Sequence, residues 1–167
     1  MIYGFNPPPA FWGQYWDWTT LTLHNCLKSY VKPETKLLDM GCGPYAVLSR
    51  YAKIKLHCRN IIAADYCPEL ITFAGYNDPE NGINYIYSDL FANIHSRSNL
   101  ISFNAPYLES DKGKRKGLFP DDLSQKRFCG GTQGIDTIKN FLQDAPQYIE
   151  KANIIVKNTT KLLDIPS

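Results

Sequence analysis

Lys36-Leu37-Leu38-Asp39-Met40-Gly41-Cys42-Gly43-Pro44-Tyr45-Ala46 is the stretch on which the fold turns. A short apolar strand over 36–40 carries an acid near its end and runs into a Gly-x-Gly turn, with a helix expected across about 45–57. Glycines in such a turn let the backbone reverse tightly and approach a ligand closely. Tyr45 stands where dinucleotide-binding turns often carry a third glycine, which favours a ligand without phosphates over a pyrophosphate. Outward from this turn the same alternation continues. Strands are expected at 60–65, 83–87, 99–105 and 152–157, and helices at 19–31, 68–76 and 132–150. Pro68 suits the first turn of its helix. Strands alternating with helices predict an α/β domain whose parallel sheet is covered on both faces. Residues 108–131 read as a long polar loop, residues 1–18 as an aromatic and proline-rich arm, and 19–167 as a single domain.

Composition narrows the class. A chain of 167 residues fits one domain with a real core, and 44% hydrophobic with 20% charged residues is neither disordered nor membranous material. No apolar run reaches the roughly 18 residues a membrane helix needs. The opening Met1-Ile2-Tyr3-Gly4-Phe5-Asn6-Pro7 has no basic flank followed by an apolar core, so no signal peptide is read. The cysteines, Cys26, Cys42, Cys58, Cys67 and Cys129, are odd in number and form no CxxC pair. That argues for reduced thiols in the cytoplasm and against a metal site. A net charge of +2 neither requires nor excludes a nucleic-acid partner.

Three places carry candidate chemistry. Asp65 ends the second strand about 20 residues beyond the glycine turn, the position from which an acid bonds ribose hydroxyls in nucleotide-binding α/β folds. Its alternative is a helix cap ahead of Pro68. Asp89 ends the third strand at the same level and suits an adenine amino group, with Leu90 or Phe91 packing on the ring; the alternative is a solvated turn aspartate. The fourth strand runs into Asn104-Ala105-Pro106-Tyr107. There the Asn104 side-chain carbonyl and the Ala105 main-chain carbonyl offer two acceptors, Pro106 stiffens the turn and Tyr107 supplies a flat face. Two acceptors and a stacking ring suit an amide or an exocyclic amine.

Other features divide between function and scaffold. Asp111-Lys112-Gly113-Lys114-Arg115-Lys116 is either a solvated loop or a contact for an acidic or phosphate-bearing substrate. Gly130-Gly131-Thr132-Gln133-Gly134 is either a loop and cap or a border of the substrate pocket. The arm, with Tyr3, Phe5, Phe11, Trp12, Tyr15, Trp16 and Trp18, is either an apolar strap or a lid. His24, His57 and His95 have no ligand spacing and read as structural.

The runs LLDMGCGP, AADYCPELITFA, YSDLFANI, NAPY and GGTQGIDTIKNFLQDAPQYI, in that order over residues 34–157, resemble the S-adenosylmethionine-dependent methyltransferases of the release-factor glutamine-N5 type. The resemblance implies a Rossmann-like class I methyltransferase fold, three layers α/β/α. It implies S-adenosyl-L-methionine as cofactor and methyl transfer to a nitrogen of a protein glutamine or of a nucleic acid. Asp39, Gly41, Cys42 and Gly43 would border the methionine part of the cofactor. Asp65 and Tyr66 would lie at the ribose, and Asp89 and Leu90 at the adenine. Asn104 would touch both cofactor and acceptor, and Ala105, Pro106 and Tyr107 would complete the catalytic tetrapeptide. A Thr in the family near Thr19 or Thr20 approaches the cofactor carboxylate.

This chain departs from the family's pattern at three points. Ala105 replaces the first proline of Asn-Pro-Pro-Tyr, keeping the carbonyl but losing rigidity. Tyr45, in place of a glycine, either crowds the cofactor pocket or packs. The family's last antiparallel hairpin has no counterpart after 152–157, so either the chain is a fragment or a homodimer or another partner is expected to cover that edge. A catalytically inactive, methyltransferase-like binding subunit is the competing expectation.

Overall fold

The computed structural model describes residues 18–78, 82–150 and 154–157, the last as backbone alone. The arm's aromatics from Tyr3 to Trp16 lie outside the described residues. Eleven elements follow in order: α1 (Trp18–Tyr30), β1 (Lys36–Met40), α2 (Val47–Leu56), β2 (Asn60–Asp65), α3 (Pro68–Tyr76), β3 (Asn84–Tyr87), β4 (Leu100–Asn104), α4 (Ser110–Arg115), α5 (Asp122–Phe128), α6 (Asp136–Tyr148) and β5 (Ile154–Lys157). Trp18 therefore opens the first helix instead of closing the arm. The expected polar loop at 108–131 is corrected more substantially, since it carries the two short helices α4 and α5.

The strands form one sheet in the order β3-β2-β1-β4-β5, every neighbouring pair parallel. Alternate side chains of β1 and β4 feed different cores, as the period of a strand requires. Leu37 and Leu100 join Leu23 and Leu27 of α1, Leu48 and Tyr51 of α2 and Ala74 of α3 on one face. Leu38, Met40, Ile101 and Phe103 meet Phe141 and Ala145 of α6 with Phe91 on the other. Phe141 lies 4.8 Å from Phe103 and 5.2 Å from Phe91, ring centre to ring centre, which locks that second layer. The three-layer α/β/α expectation is met. β5 lies at one edge of the described sheet, as expected, and β3 at the other.

Strand order 3-2-1-4-5 reverses direction between β1 and β4. In open α/β sheets the crevice beyond the carboxyl ends of the strands at this reversal is where ligands bind. Met40 at the end of β1 pairs in register with Phe103, so the glycine turn and Asn104 emerge side by side.

Candidate functional site

At the carboxyl end of β1, Asp39 is 2% exposed, yet it is an acid. Its carboxylate accepts hydrogen bonds from the Ser49 amide at 3.2 Å, the Ser49 hydroxyl at 2.7 Å and the Ser102 hydroxyl at 3.0 Å. Ser49 lies in the first turn of α2, where amides have no helical partner. The residue before that helix, Ala46, has no side chain to cap it and adopts φ 41°, ψ 47°. Asp39 thus caps α2 from the neighbouring strand and ties it to β4. Burial pushes its pKa up to about 6, opposed by the two serines.

The turn that follows has Gly41 at φ 67° and Gly43 at φ 66°, a backbone that strains any residue with a Cβ. Its amides are already engaged: Cys42 donates to the Ala64 carbonyl at 3.0 Å and Gly43 to the Asp65 carboxylate at 2.9 Å. Backbone amides spent inside the protein make a poor phosphate cradle. A Cβ added at Gly43 would meet open space, so the turn leaves room for a ligand.

Asp65 ends β2 and also accepts from the Cys67 amide at 2.9 Å. Burial pushes its carboxyl up, while the amides of Cys67 and Gly43 and the Arg127 guanidinium hold it down. Each oxygen takes one backbone N–H in these bonds and keeps a further lone pair for a ligand hydroxyl. The expected choice between ribose ligand and helix cap is thereby narrowed: the residue at the cap position of α3 is Cys67, and Asp65 braces two turns at once.

Beyond β3 the chain is folded around Ser88. The Ser88 hydroxyl donates to the Leu90 carbonyl at 2.6 Å and accepts from the Asn93 amide at 3.0 Å. Leu90 takes φ 47°, a left-handed backbone uncommon for a non-glycine. Asp89 is exposed beside it.

The tetrapeptide is held from outside. Ala105 is 1% exposed. Asn104 directs its amide nitrogen toward the Thr20 hydroxyl at a long 3.5 Å, an orientation that leaves its carbonyl oxygen for another partner. Tyr107 and Leu108 donate to the Phe128 carbonyl at 3.2 and 2.8 Å, and Gly130 donates to the Leu108 carbonyl at 2.9 Å. Gly130 also passes so close to the tetrapeptide that a Cβ there would lie 2.6 Å from the Pro106 oxygen. The glycine-rich 130–134 segment is therefore a clamp on the tetrapeptide.

The four strand-end turns line one cleft of about 670 Å³. It brings together Asp39, Gly41, Cys42 and Gly43 on the first turn, Asp65 and Tyr66 on the second, Asp89 and Leu90 on the third, and Asn104, Ala105, Pro106 and Tyr107 on the fourth, whereas the expected pocket border at 130–134 is outside the lining. Of the two threonines considered, Thr20 lines the cleft and Thr19 does not. Tyr45 lines it too while packing edge-on against Phe73, ring centres 5.6 Å apart. The basic run 112–116 stays outside the lining; the cleft's basic groups are Lys126 and Arg127 of α5, which sequence reading missed. Their one sequence signal is Asp121, whose carboxylate accepts from the Ser124 amide at 2.6 Å as an ordinary helix cap. Of the three histidines, His24 is buried against Tyr51 at 3.7 Å between ring centres, outside the cleft. Among the described residues no cluster of His, Cys, Asp or Glu is placed to hold a metal, and no helix is long and apolar enough to cross a membrane.

The chain has relatives in sequence and in fold. A protein of Methanocaldococcus jannaschii provisionally assigned as a protein N5-glutamine methyltransferase is 28% identical over 132 residues, covering 77% of this chain and 64% of that protein. The release factor glutamine methyltransferase of Buchnera aphidicola is 25% identical over 136 residues, covering 78% of this chain and 48% of its own. The chain thus spans about half to two thirds of these relatives' length. No family model matches it. Among solved structures, a methyltransferase from Pyrococcus furiosus superposes with TM-score 0.60 at 15% identity, covering 84% of this chain and 64% of that one. TrmK of M. capricolum, bound to S-adenosylhomocysteine, superposes with TM-score 0.55 at 17% identity, covering 83% and 52%. The Rossmann-like class I methyltransferase fold is shared with them.

Proposed function

We propose that this chain transfers a methyl group from S-adenosyl-L-methionine to a substrate nitrogen. The observation that carries the reading is the meeting, in one cleft at the sheet's reversal, of the Gly41–Gly43 turn with the Asn104–Tyr107 tetrapeptide. A phosphate-free nucleoside fits the donors present. The turn's amides are spent on Ala64 and Asp65, whereas Asp65 keeps lone pairs suited to a ribose diol. In this reading Asp89 and Leu90, which line the cleft, take the adenine side, and Thr20, also in the lining, takes the amino-acid end. The cofactor, when bound, supplies an electrophilic methyl group.

The protein's task is to present the nitrogen. An amide or aniline-like nitrogen is a poor nucleophile because its lone pair is delocalised. Asn104 and the Ala105 carbonyl accept its N–H bonds and turn the lone pair toward the methyl group, while Tyr107 stacks on the planar group. Such preorganised positioning lowers a barrier by several kcal/mol without a titrating base. The nitrogen's proton leaves to water after transfer. The relatives named for glutamine make a protein amide the first acceptor to test, with a nucleic-acid amine second.

The experiment has two steps. Calorimetric titration with S-adenosylhomocysteine should give micromolar binding, and labelled methyl should then pass to a protein or nucleic-acid fraction. Binding without transfer to any acceptor would favour the inactive binding subunit. A folded chain that binds no cofactor would remove the proposal.

A further inference from the structure

Beyond β3 the chain holds a turn that its backbone resists. Leu90, at φ 47°, lies in the left-handed region that a residue with a Cβ avoids. Such a residue persists only where its surroundings over-determine it, and such places gather at ligand sites. Ser88 does the holding. It is 1% exposed and lines the cleft together with Asp89 and Leu90. Its hydroxyl donates to the Leu90 carbonyl at 2.6 Å and accepts from the Asn93 amide at 3.0 Å, so one oxygen closes the turn from both ends. Its own amide donates to the Asp65 carbonyl at 2.9 Å, which pins the start of the turn to the end of β2. Asn93 adds a side-chain N–H to the Tyr87 carbonyl at 2.9 Å. The Leu90 side chain packs against the α6-side core.

We propose that Ser88 is a positioning residue for nucleobase recognition, holding Leu90 left-handed so that the turn presents Asp89 to the adenine amino group. This rests on the cofactor reading above. Asp89 is exposed and stands between two pinned residues: Ser88, held by the Asp65 carbonyl, and Leu90, held by the Ser88 hydroxyl. Its main chain is therefore fixed on both sides, and its carboxylate keeps only side-chain freedom. Direction decides what that carboxylate can tell apart. A carboxylate accepts, so it pairs with an amino group, but a carbonyl in the same place leaves no hydrogen between the two oxygens. An acceptor held in one place makes that distinction, whereas one that swings away to water loses it.

The test is calorimetric titration with two ligands, S-adenosylhomocysteine and its deaminated analogue S-inosylhomocysteine, in which a carbonyl replaces the adenine amino group. The wild-type chain should prefer the adenine form by about tenfold or more. Ser88→Ala should weaken S-adenosylhomocysteine binding by about tenfold and the inosine form by about twofold or less, so the preference collapses. In a Leu90→Gly background the same Ser88→Ala change should cost about twofold or less, because glycine takes a positive φ without being held. Equal losses for both ligands, or an undiminished loss in the Leu90→Gly background, overturn the assignment while leaving the cofactor reading intact. So does a wild-type chain that binds both ligands alike. A wild-type chain that binds neither overturns both readings. If Ser88→Ala fails to fold, Asn93→Ala decides in its place: the residue is exposed, and losing its tie to Tyr87 should narrow the preference by about threefold. An unchanged preference there overturns the assignment.

Discussion

Replacing Asp39 by asparagine separates the scaffold from the chemistry in a way that pH can read. The carboxyl has a pKa of about 6 in the fold, against an ordinary value of 3.8 in an unfolded chain. Because the folded value is the higher, the folded state holds the proton more tightly, and stability falls as pH rises between the two values. Each pH unit is about 1.4 kcal/mol, so Asp39 withdraws about 2–3 kcal/mol between pH 4 and pH 7.5. An asparagine carries no charge and has no such dependence. Its carbonyl oxygen can keep the Ser49 amide and hydroxyl while its N–H turns to the Ser102 hydroxyl, which can accept. Urea unfolding of both proteins at about pH 4.5 and 7.5 measures the difference directly, since other titrating groups cancel. The Asp39→Asn chain should gain about 2 kcal/mol on the wild type between the acid and the higher pH. A wild-type-minus-variant difference that is the same at both pH values refutes the buried, ionised Asp39.

Three further substitutions test the site. Asn104→Ala should lower turnover by about a hundredfold or more while leaving S-adenosylhomocysteine affinity nearly unchanged, and normal turnover would sink its role as acceptor. Asp65→Ala should weaken S-adenosylhomocysteine binding by about tenfold to a hundredfold, because bonds to a charged acceptor and the brace on the Gly43 turn go together; unchanged calorimetric affinity would place the ribose elsewhere. Gly130→Ala drives a Cβ to within 2.6 Å of the Pro106 oxygen, so stability should fall by about 1–3 kcal/mol and transfer should suffer more than cofactor binding. A thermal melt and a transfer assay that both match wild type would count against the clamp.

Much of this was legible from residue order. The strands at 36–40 and 60–65 announce themselves by apolar runs with an acid at or next to the carboxyl end, and the structure gives those very bounds. The cleft's four turns were found because each follows a strand, and parallel strands deliver their ends to one rim. Three things were not legible. Asp39 reads as a ligand neighbour in a motif, but its bonds to Ser49 and Ser102 depend on register between β1 and β4. Helices α4 and α5 are short and polar, without an apolar stripe, so periodicity is silent there. Lys126 and Arg127 reach the cleft through tertiary contacts of α5, and no local pattern joins them to its turns.

At Ala105 the stiffness that a proline would supply comes from elsewhere in the chain. A proline there would fix the backbone by its own ring. In this chain the fixing is moved to contacts that the sequence spreads over 25 positions, from Pro106 to Gly130 inclusive. The Phe128 carbonyl holds two successive amides of the strand exit, the Leu108 carbonyl holds Gly130, and Gly130 lies against the Pro106 oxygen. Ala105 itself is packed into the α6-side core with Phe103 and Phe141, where a methyl group fits. Rigidity that comes from tertiary contacts is conditional in a way a proline is not. It holds only while α5 and the glycine clamp are docked. Introducing the ring by Ala105→Pro should therefore do little to the intact chain yet rescue transfer in Gly130→Ala, and failure of that rescue would mean the clamp serves the fold alone.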